Sequence, residues 1–121
     1  MYGHRFRTAW EVDMENMRVL CVEPCTASLH TLCWMLEGAG YEVVPACNGE
    51  EAISLFADRS VHGVLLEYDL PDKTGASLRE QMKQIKPDVP VLLFSGVGPQ
   101  TPMLLRFFNA YVRHTVASPA A

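Results

Sequence analysis

The sequence predicts an α/β protein with a doubly wound, five-stranded parallel sheet of flavodoxin-like architecture, lacking a normal fifth helix. Short apolar runs alternate with segments in which apolar residues recur at helical spacing along the 121 residues. The runs are apolar at consecutive positions, which is typical of strands that are covered on both faces in a parallel sheet. Regular alternation of such strands with helices favours the doubly wound arrangement.

Five strands are predicted from the apolar runs. They cover residues 19–22, 41–44, 64–66, 91–94 and 110–112. Runs of this length suit strands, whereas helices need longer segments.

Four helices are predicted between the strands. The first ends at Gly38 and Gly40. The second begins at Asn48, which forms an approximate capping box with Glu51. The third stops before Pro87, and a short fourth helix covers residues 103–108. The apolar positions that define the first three are Leu29, Leu32, Cys33, Leu36, Ile53, Leu55, Phe56, Leu78, Met82 and Ile85.

The C-terminal end is predicted to leave one sheet face without a helix. Only seven residues follow His114, and they include Pro119, so they cannot form a helix of three turns. Apolar area left in water costs about 25 cal/mol per Å². We therefore expect a cover from the start of the chain or from a second copy, and a homodimer is the favoured alternative.

The start of the chain is predicted to be a leader ahead of the folded domain. Thr8 and Glu11 form a capping box, and Trp10, Met14 and Met17 recur at helical spacing. An alternative is that Met14 or Met17 is the natural first residue. The predicted organisation is a leader at residues 1–17, one domain at residues 18–115 and a tail at residues 116–121.

Composition indicates a soluble globular protein. Apolar residues make up 49% of the chain and charged residues 20%. The net charge of −4 argues against a nucleic-acid-binding surface, which is usually basic. No apolar run is long enough to span a membrane, and no apolar segment of a secretory signal follows Arg5 and Arg7. We expect a cytoplasmic location.

The cysteines, Cys21, Cys25, Cys33 and Cys47, are interpreted as buried structural thiols. No pair has the C-x-x-C spacing, and no histidine lies at a zinc-like offset. Cys21 lies in a predicted strand and Cys33 on the apolar side of a predicted helix, where free cysteine behaves as a small hydrophobic residue.

The candidate site lies at the carboxyl ends of the predicted strands, because doubly wound sheets bind ligands there. The residues at these ends are Glu23, Pro24, Glu67, Ser95, Arg113 and His114.

Five segments resemble, in order, those of bacterial response-regulator receiver (CheY-like) domains. Residues 64–75, VLLEYDLPDKTG, resemble the phosphorylation-site segment of that family. Residues 19–24 (VLCVEP) resemble its opening strand and acidic pair, and residues 87–96 (PDVPVLLFSG) its fourth strand with the switch hydroxyl. Residues 40–44 (GYEVV) and 48–52 (NGEEA) are similar to its second strand and second helix start.

The resemblance implies a site in which a pair of acids, an acceptor aspartate and a backbone carbonyl bind Mg²⁺. Glu23 occupies the first acid position, and Pro24 replaces the second acid. Glu67 replaces the acceptor aspartate, and Asp69 would supply the carbonyl. The remaining implied positions are the switch hydroxyl Ser95, the switch aromatic Tyr111 and the lysine position His114.

These replacements predict a degenerate phosphorylation site. Mg²⁺ requires near-ideal octahedral geometry, and Pro24 offers no carboxylate to it. The extra methylene of Glu67 shifts the acceptor oxygen by roughly 1.5 Å, about one C–C bond, in a reaction that depends on positioning. His114 carries little charge compared with a lysine. We expect Mg²⁺ binding through Glu23, Glu67 and Asp69 to be weak or absent, and no other cofactor.

Alternative assignments remain open for several of these residues. Asp69 and Asp72 could accept phosphate instead of Glu67, although solvated turn carboxylates are the simpler interpretation. Without the resemblance, Ser95 is a turn residue and His114 a surface histidine. In the pseudo-receiver interpretation, Glu67 partially mimics a phosphoryl group, provided that Ser95 and Tyr111 point toward it; the mimicry is incomplete because a carboxylate carries about −1 and a phosphoryl group nearer −2.

Three functions are compatible with the sequence. The favoured one is a stand-alone pseudo-receiver of a two-component phosphorelay system, which acts through protein contacts without Asp phosphorylation and is not an enzyme. Its expected partner is a histidine kinase or a downstream effector, and neither nucleic acid nor membrane. The alternatives are a conventional phospho-accepting receiver with unusual ligands and an unrelated flavodoxin-like cofactor domain, which lacks support because no glycine-rich loop follows the first strand.

Overall fold

The computed structural model describes residues 17–117 and contains a parallel sheet. The strands are β1 (Arg18–Val22), β2 (Glu42–Ala46), β3 (Gly63–Glu67) and β4 (Val91–Phe94). They lie in the order β2-β1-β3-β4, and every neighbouring pair is parallel. The predicted α/β class with a parallel sheet is thereby confirmed. The predicted leader, apart from Met17, lies outside the described residues.

Four helices accompany the strands within residues 17–117. They are α1 (Thr26–Gly38), α2 (Gly49–Asp58), α3 (Gly75–Ile85) and α4 (Thr101–Ala117). The predicted cap of α2 is confirmed, because Asn48 Oδ1 accepts the backbone N–H of Glu51 at 2.8 Å. At the start of α3, Thr74 Oγ1 accepts the N–H of Ser77 at 3.1 Å. None of the described helices is long and apolar enough to cross a membrane.

The two faces of the sheet carry separate apolar clusters. α2 and α3 cover one face, where fully buried Phe56, Leu78 and Met82 pack against strand residues such as Leu66. α1 and α4 cover the other face, and their buried residues pack against Val19, Cys21 and Leu65. Alternate strand residues point to opposite faces, so both clusters contain residues of β1 and β3.

The last helix differs from the prediction. α4 runs without interruption from Thr101 to Ala117, so residues 110–112 are helical, and no fifth strand is seen among residues 17–117. The physical reason is that Leu105, Phe108 and Val112 are all buried and recur at i, i+3 and i+7, which continues the helical period through the proposed strand.

α4 also covers the sheet face that was expected to stay bare. Phe108 and Val112 belong to the same buried cluster as Val19 of β1. Gly63 allows this close approach, because a Cβ atom there would lie 2.9 Å from Val112 Cγ2 and 3.2 Å from Phe108 Cζ. A second copy of the chain is therefore not required to cover this face of the sheet.

Tyr41 connects the start of β2 with α4. Its hydroxyl donates to Asn109 Oδ1 at 2.8 Å, and its ring makes an edge contact with Phe108 at a centroid distance of 5.9 Å. Burial raises the pKa of Tyr41 to about 12, and the nearby charge of Arg113 opposes that rise. A buried hydroxyl with a hydrogen-bond partner fixes the position of α4 on the sheet.

β4 lies at one edge of the described sheet, and cations of α3 reach the carbonyl groups near it. Arg79 Nε donates to the carbonyl of Val91 at 3.3 Å. Lys83 Nζ donates to the carbonyl of Val89 at 2.7 Å. Burial is the main cause of a lowered pKa at Lys83.

The prediction of buried cysteines is half right. Cys21 is buried and Cys33 half-buried, but Cys25 and Cys47 are exposed, and all four thiols are free. Cys25 and Cys47 lie in the loops that follow β1 and β2, where the chain leaves the core. Loop positions lie at the surface, which explains the difference.

Candidate functional site

The carboxyl ends of three neighbouring strands bring the predicted site positions together. Glu23 follows β1, Glu67 is the last residue of β3, and Ser95 follows β4. Parallel strands end at the same edge of a sheet, and Glu67 is in register with Phe94, the residue before Ser95. The structure therefore places these three predicted residues at the same edge of the sheet.

Glu67 is buried, and both of its carboxylate oxygens accept backbone N–H groups. Oε2 accepts from Asp69 at 2.9 Å, and Oε1 accepts from Gly96 at 2.8 Å, while the residue is 5% exposed. Asp69 lies in the loop after β3 and Gly96 in the loop after β4. The Glu67 carboxylate thus joins the two loops through hydrogen bonds of the stronger, charge-assisted kind.

Glu23 is the second buried carboxyl group of the site. It is 4% exposed, and its Oε2 accepts the backbone N–H of Cys25 at 2.8 Å. Burial raises the pKa of Glu23, the Cys25 N–H opposes this, and the charge and a hydrogen bond of neighbouring Glu67 raise it further. Two carboxyl groups this close together disfavour simultaneous ionisation.

The residues present do not fit Mg²⁺. Pro24 supplies no carboxylate, so Glu23 is the only acid of the first-strand pair, and each oxygen of Glu67 already accepts a backbone N–H group. Among the described residues, no group of three or more His, Cys, Asp or Glu side chains could hold a metal ion. Mg²⁺ demands near-ideal octahedral geometry with well-placed oxygen ligands, and the two carboxylates at this site are already held in place by backbone N–H groups.

Asp69 and Asp72, the alternative acceptors, have different surroundings. Asp69 is exposed, as a solvated turn carboxylate would be. Asp72 instead binds the start of α2, where its carboxylate accepts the N–H groups of Gly49 at 2.8 Å and Glu50 at 2.9 Å. These two bonds lower the pKa of Asp72, with Gly49 as the larger contributor. Asp72 therefore stabilises a helix terminus, a role that the sequence did not indicate.

The structure separates Tyr111 and His114 from the carboxyl pair. Both lie exposed on α4, next to Val112, whose side chain faces Gly63 at the start of β3. Glu67 ends that strand, about 13 Å away at 3.3 Å per residue. The expectation that Tyr111 points toward Glu67 is therefore wrong, because the segment that carries it is a helix directed to the opposite end of the sheet.

Ser95 and Gly96 show which donor of the β4 loop is used. Ser95 is exposed, and the described hydrogen bonds include none between its hydroxyl and Glu67. The donor is the backbone N–H of Gly96, which has a φ of +77°. Glycine adopts this conformation without the strain of a side chain. The signal for this role was the glycine after Ser95, which sequence reasoning did not weigh.

Gly75 is a second residue whose role only the structure reveals. A Cβ atom there would lie 2.6 Å from the carbonyl oxygen of Glu67 and 2.8 Å from Tyr68 Cα. The start of α3 therefore packs directly on the end of β3, and glycine is the residue that permits this contact.

Comparison with known proteins identifies the family pattern. The family model described as the response regulator receiver domain matches residues 19–119 of the chain. This match covers most of the chain and favours the receiver interpretation over an unrelated flavodoxin-like cofactor domain.

Several individual proteins are similar to the chain. It is 31% identical over 80 residues to the response regulator RR06 of Streptococcus pneumoniae and to the cell cycle transcriptional regulator CtrA of Caulobacter vibrioides, matching 66% of this chain and 36% and 35% of theirs. The chain thus spans about a third of the length of these relatives. Response regulator TrrA of Thermotoga maritima, solved with Mg²⁺ and BeF, shares 25% identity at a TM-score of 0.65, covering 75% of this chain and 79% of that one.

Proposed function

The chain belongs to the response-regulator receiver family, and we propose that it is a pseudo-receiver, a two-component signalling module that works through protein contacts without aspartate phosphorylation. It has no phosphotransfer activity of its own and acts in the cytoplasm. Its partner is a protein of a two-component pathway, either a histidine kinase or a downstream effector.

The environment of Glu67 is the observation that carries this proposal. A phosphoacceptor needs a carboxylate oxygen that is free to attack and a metal that neutralises charge on the phosphoryl group. Both Glu67 oxygens already accept N–H groups, from Asp69 and Gly96. A phosphoryl group on Glu67 would have to be accommodated in a buried site beside these two bonds, without a fitting metal site next to it.

The same bonds suggest a permanently fixed state. Glu67 joins the loops after β3 and β4 through its own carboxylate, so the connection between them is part of the fold itself. The connection uses Gly96 and not the switch positions Ser95 and Tyr111, which argues against a faithful imitation of a phosphorylated receiver. We propose that the loops stay in one arrangement and that partner availability sets the output.

The partner assignment rests on relatives. TrrA of Thermotoga maritima has been solved in complex with the histidine kinase ThkA, and in that structure it is 27% identical to this chain. CtrA is named a transcriptional regulator, but the similarity covers only 35% of its length. The kinase complex of TrrA leads us to propose a protein partner, and the net charge of −4 argues against direct contact with nucleic acid.

Incubation with acetyl phosphate and Mg²⁺, followed by intact-mass measurement, tests the proposal. We expect no gain of a phosphoryl group, with TrrA as the positive control. A gain that maps to Glu67 or Asp69 would show a conventional phospho-accepting receiver with unusual ligands and refute the pseudo-receiver.

A variant pair sharpens this test. Glu67→Asp alone is expected to stay unphosphorylated and to bind Mg²⁺ no better, because Pro24 still removes one ligand. Pro24→Asp combined with Glu67→Asp is expected to raise Mg²⁺ affinity, measured by calorimetry. Equal Mg²⁺ affinity in the single and double variants would show that the missing acid is not the limiting defect.

A further inference from the structure

β4 ends the described sheet, and alternate residues of this strand point their backbone groups away from it. β3 and the residue after it donate N–H groups to the carbonyls of Pro90 at 2.9 Å and Phe94 at 2.8 Å. In a parallel ladder the residues between such partners face the other side, so the backbone groups of Val91 and Leu93 face outward. The bond from Arg79 Nε to the Val91 carbonyl agrees with this direction.

The opposite edge of the described sheet, at β2, is protected by a proline. Glu42 donates its N–H to a residue that flanks β1 at 2.9 Å, and the carbonyl of Ala46 accepts from another at 3.0 Å. Val43 and Pro45 are therefore the outward residues of β2. Proline has no N–H to offer to a further strand. The residues of β4, VLLF, include neither proline nor a charged side chain, so β4 is the edge that can extend the sheet.

One flank of α4 borders the same edge. Asn109 accepts a hydrogen bond from the tyrosine that precedes β2, so its side of α4 is turned toward β2. Phe107 and Tyr111 each lie two residues from Asn109, which is about 200° around a helix of 3.6 residues per turn. They are 67% and 36% exposed, on the side of α4 directed toward β4. Leu104, one turn before Phe107, packs against the same buried cluster as Leu92 of β4. The space beside the β4 edge is therefore apolar on its α4 side.

The other side of this space is cationic. Arg79 Nε and Lys83 Nζ of α3 donate to the carbonyls of Val91 and Val89, at 3.3 and 2.7 Å. An uncharged strand would have to displace Arg79 without offering it another acceptor. A second copy that paired β4 with β4 would bring the two sets of cations together, which is unfavourable. Carboxylates of an incoming strand would instead attract both cations, and Arg79 would exchange a carbonyl for a charged acceptor.

We propose that the β4 edge binds an extended strand of a protein partner, with its acidic side chains toward α3 and its apolar side chains toward α4. Successive side chains of a strand point to opposite faces, so the recognised segment alternates acidic and apolar residues. The N–H of Val91 and both backbone groups of Leu93 supply the main-chain hydrogen bonds of this strand addition. The inference rests on the proposed function for the identity of the occupant as a signalling protein, whereas the binding edge itself does not involve Glu67.

Amide hydrogen exchange measured by NMR tests this binding, with an acetylated eight-residue peptide of alternating glutamate and valine as the probe. Without peptide, the amides of Val91 and Leu93 should exchange at least about tenfold faster than those of Leu92 and Phe94, which face β3. Saturating peptide should slow Val91 and Leu93 by about tenfold or more. The amide of Val43, on the proline-protected edge, is the internal control and should not change.

Two kinds of variant identify what is recognised. Arg79→Glu combined with Lys83→Glu should weaken binding of the acidic peptide by about tenfold or more and strengthen binding of a lysine–valine peptide of the same length. Arg59→Glu, at an exposed position that ends α2, is the charge control and should change neither affinity appreciably. Leu93→Pro removes only an outward N–H, which an edge strand tolerates, and should abolish binding while the circular dichroism spectrum is kept.

Four results would overturn the proposal. They are slow exchange of the Val91 and Leu93 amides in the free protein at every concentration, no response of these amides to the acidic peptide, equal affinity for the acidic and basic peptides, and protection that disappears on dilution together with a dimer in sedimentation. The last result would assign the edge to a second copy. Should Leu93→Pro unfold, the charge exchange at Arg79 and Lys83 still decides. Phosphorylation of Glu67 by acetyl phosphate would refute the proposed function and leave these exchange results unaffected.

Discussion

The two faces of the sheet bury similar apolar cores, but the helices that cover them begin differently. On the α2–α3 face, both helices begin with a side-chain cap, from Asn48 and Thr74. On the α1–α4 face, α1 begins at Cys25 without a side-chain cap, and α4 extends through a segment that resembles a strand. Yet each face completely buries one phenylalanine, Phe56 or Phe108. The difference shows that local signals define one layer and tertiary packing the other.

The two layers differ in how far apart in the sequence the residues lie that stabilise their helices. Caps and turn residues act within a few residues, so they fix where α2 and α3 start whatever else the chain does. α4 has no such signal in its middle, and it is held by contacts distant in sequence, such as Tyr41 with Asn109 and Gly63 with Val112. Tertiary context of this kind overrides weak local propensity.

The largest effect is expected from truncating the two phenylalanines. Phe56→Ala and Phe108→Ala should each lower the free energy of unfolding by about 3–5 kcal/mol, because both leave a cavity in a closed cluster. Urea unfolding of the two variants measures this directly. A loss for Phe108→Ala well below that for Phe56→Ala would mean that α4 packs more loosely than the structure shows.

A smaller loss is expected where α4 approaches the sheet. Gly63→Ala would place its Cβ 2.9 Å from Val112 Cγ2, and overpacking of this kind costs about 1–3 kcal/mol. Gly38→Ala is the matched control, since it meets nothing within 4 Å at the end of α1, and it should be neutral or stabilising. If both substitutions are tolerated equally in thermal unfolding, α4 does not lie against β3.

The next largest changes in stability are expected from substitutions at the helix starts. The sign of the change should differ between the two layers. Asn48→Ala should destabilise the protein by about 1 kcal/mol, because Glu51 loses the acceptor for its N–H. Cys25→Ser should do the opposite by a similar or smaller amount, because it adds a hydroxyl at an uncapped helix start. The sign of the change in the urea midpoint of unfolding tests both expectations. A stabilising Asn48→Ala would contradict the capping role of Asn48.

The smallest effect is a pH dependence at Glu23, which directly follows β1, a strand with residues in both layers. Its pKa is raised in the folded state, chiefly by burial, so the folded protein binds this proton more tightly than the unfolded chain. The contribution of Glu23 is most favourable below the unfolded pKa of about 4.3 and is lost as pH rises through the folded pKa. Glu23→Gln keeps an acceptor for Cys25 and should flatten this decline. Unfolding midpoints between acidic and neutral pH test it, and an unchanged slope would argue against a raised pKa.

Most of the fold could be predicted from the sequence because its signals were local. The apolar runs placed β1, β3 and β4 correctly, and the Asn48 cap located α2. Residues 110–112 were misassigned because three apolar residues in a row fit a strand and a helix equally well, and only their burial with Leu105 decides between them.

The residues of the candidate site could be predicted from the strand ends, but their hydrogen bonds could not. The sequence places Glu23 and Glu67 at neighbouring strand ends, where the structure finds them. The glycine at position 96 was a signal for one partner of Glu67, but nothing in the sequence pointed to the backbone N–H of Asp69, because that donor depends on no side chain. Tyr111 was misplaced for the same reason as the fifth strand, since its position depends on the length of α4.

The edge of the sheet at β4 has a consequence for solubility. An edge strand is a template onto which strands of other molecules can add, and such growth leads to aggregation. Arg79 donates a hydrogen bond to the Val91 carbonyl, and Lys83 donates one to the nearby Val89 carbonyl. Any incoming strand would have to displace the guanidinium and approach the ammonium group. These two side chains therefore disfavour the addition of a further strand at this edge of the described sheet.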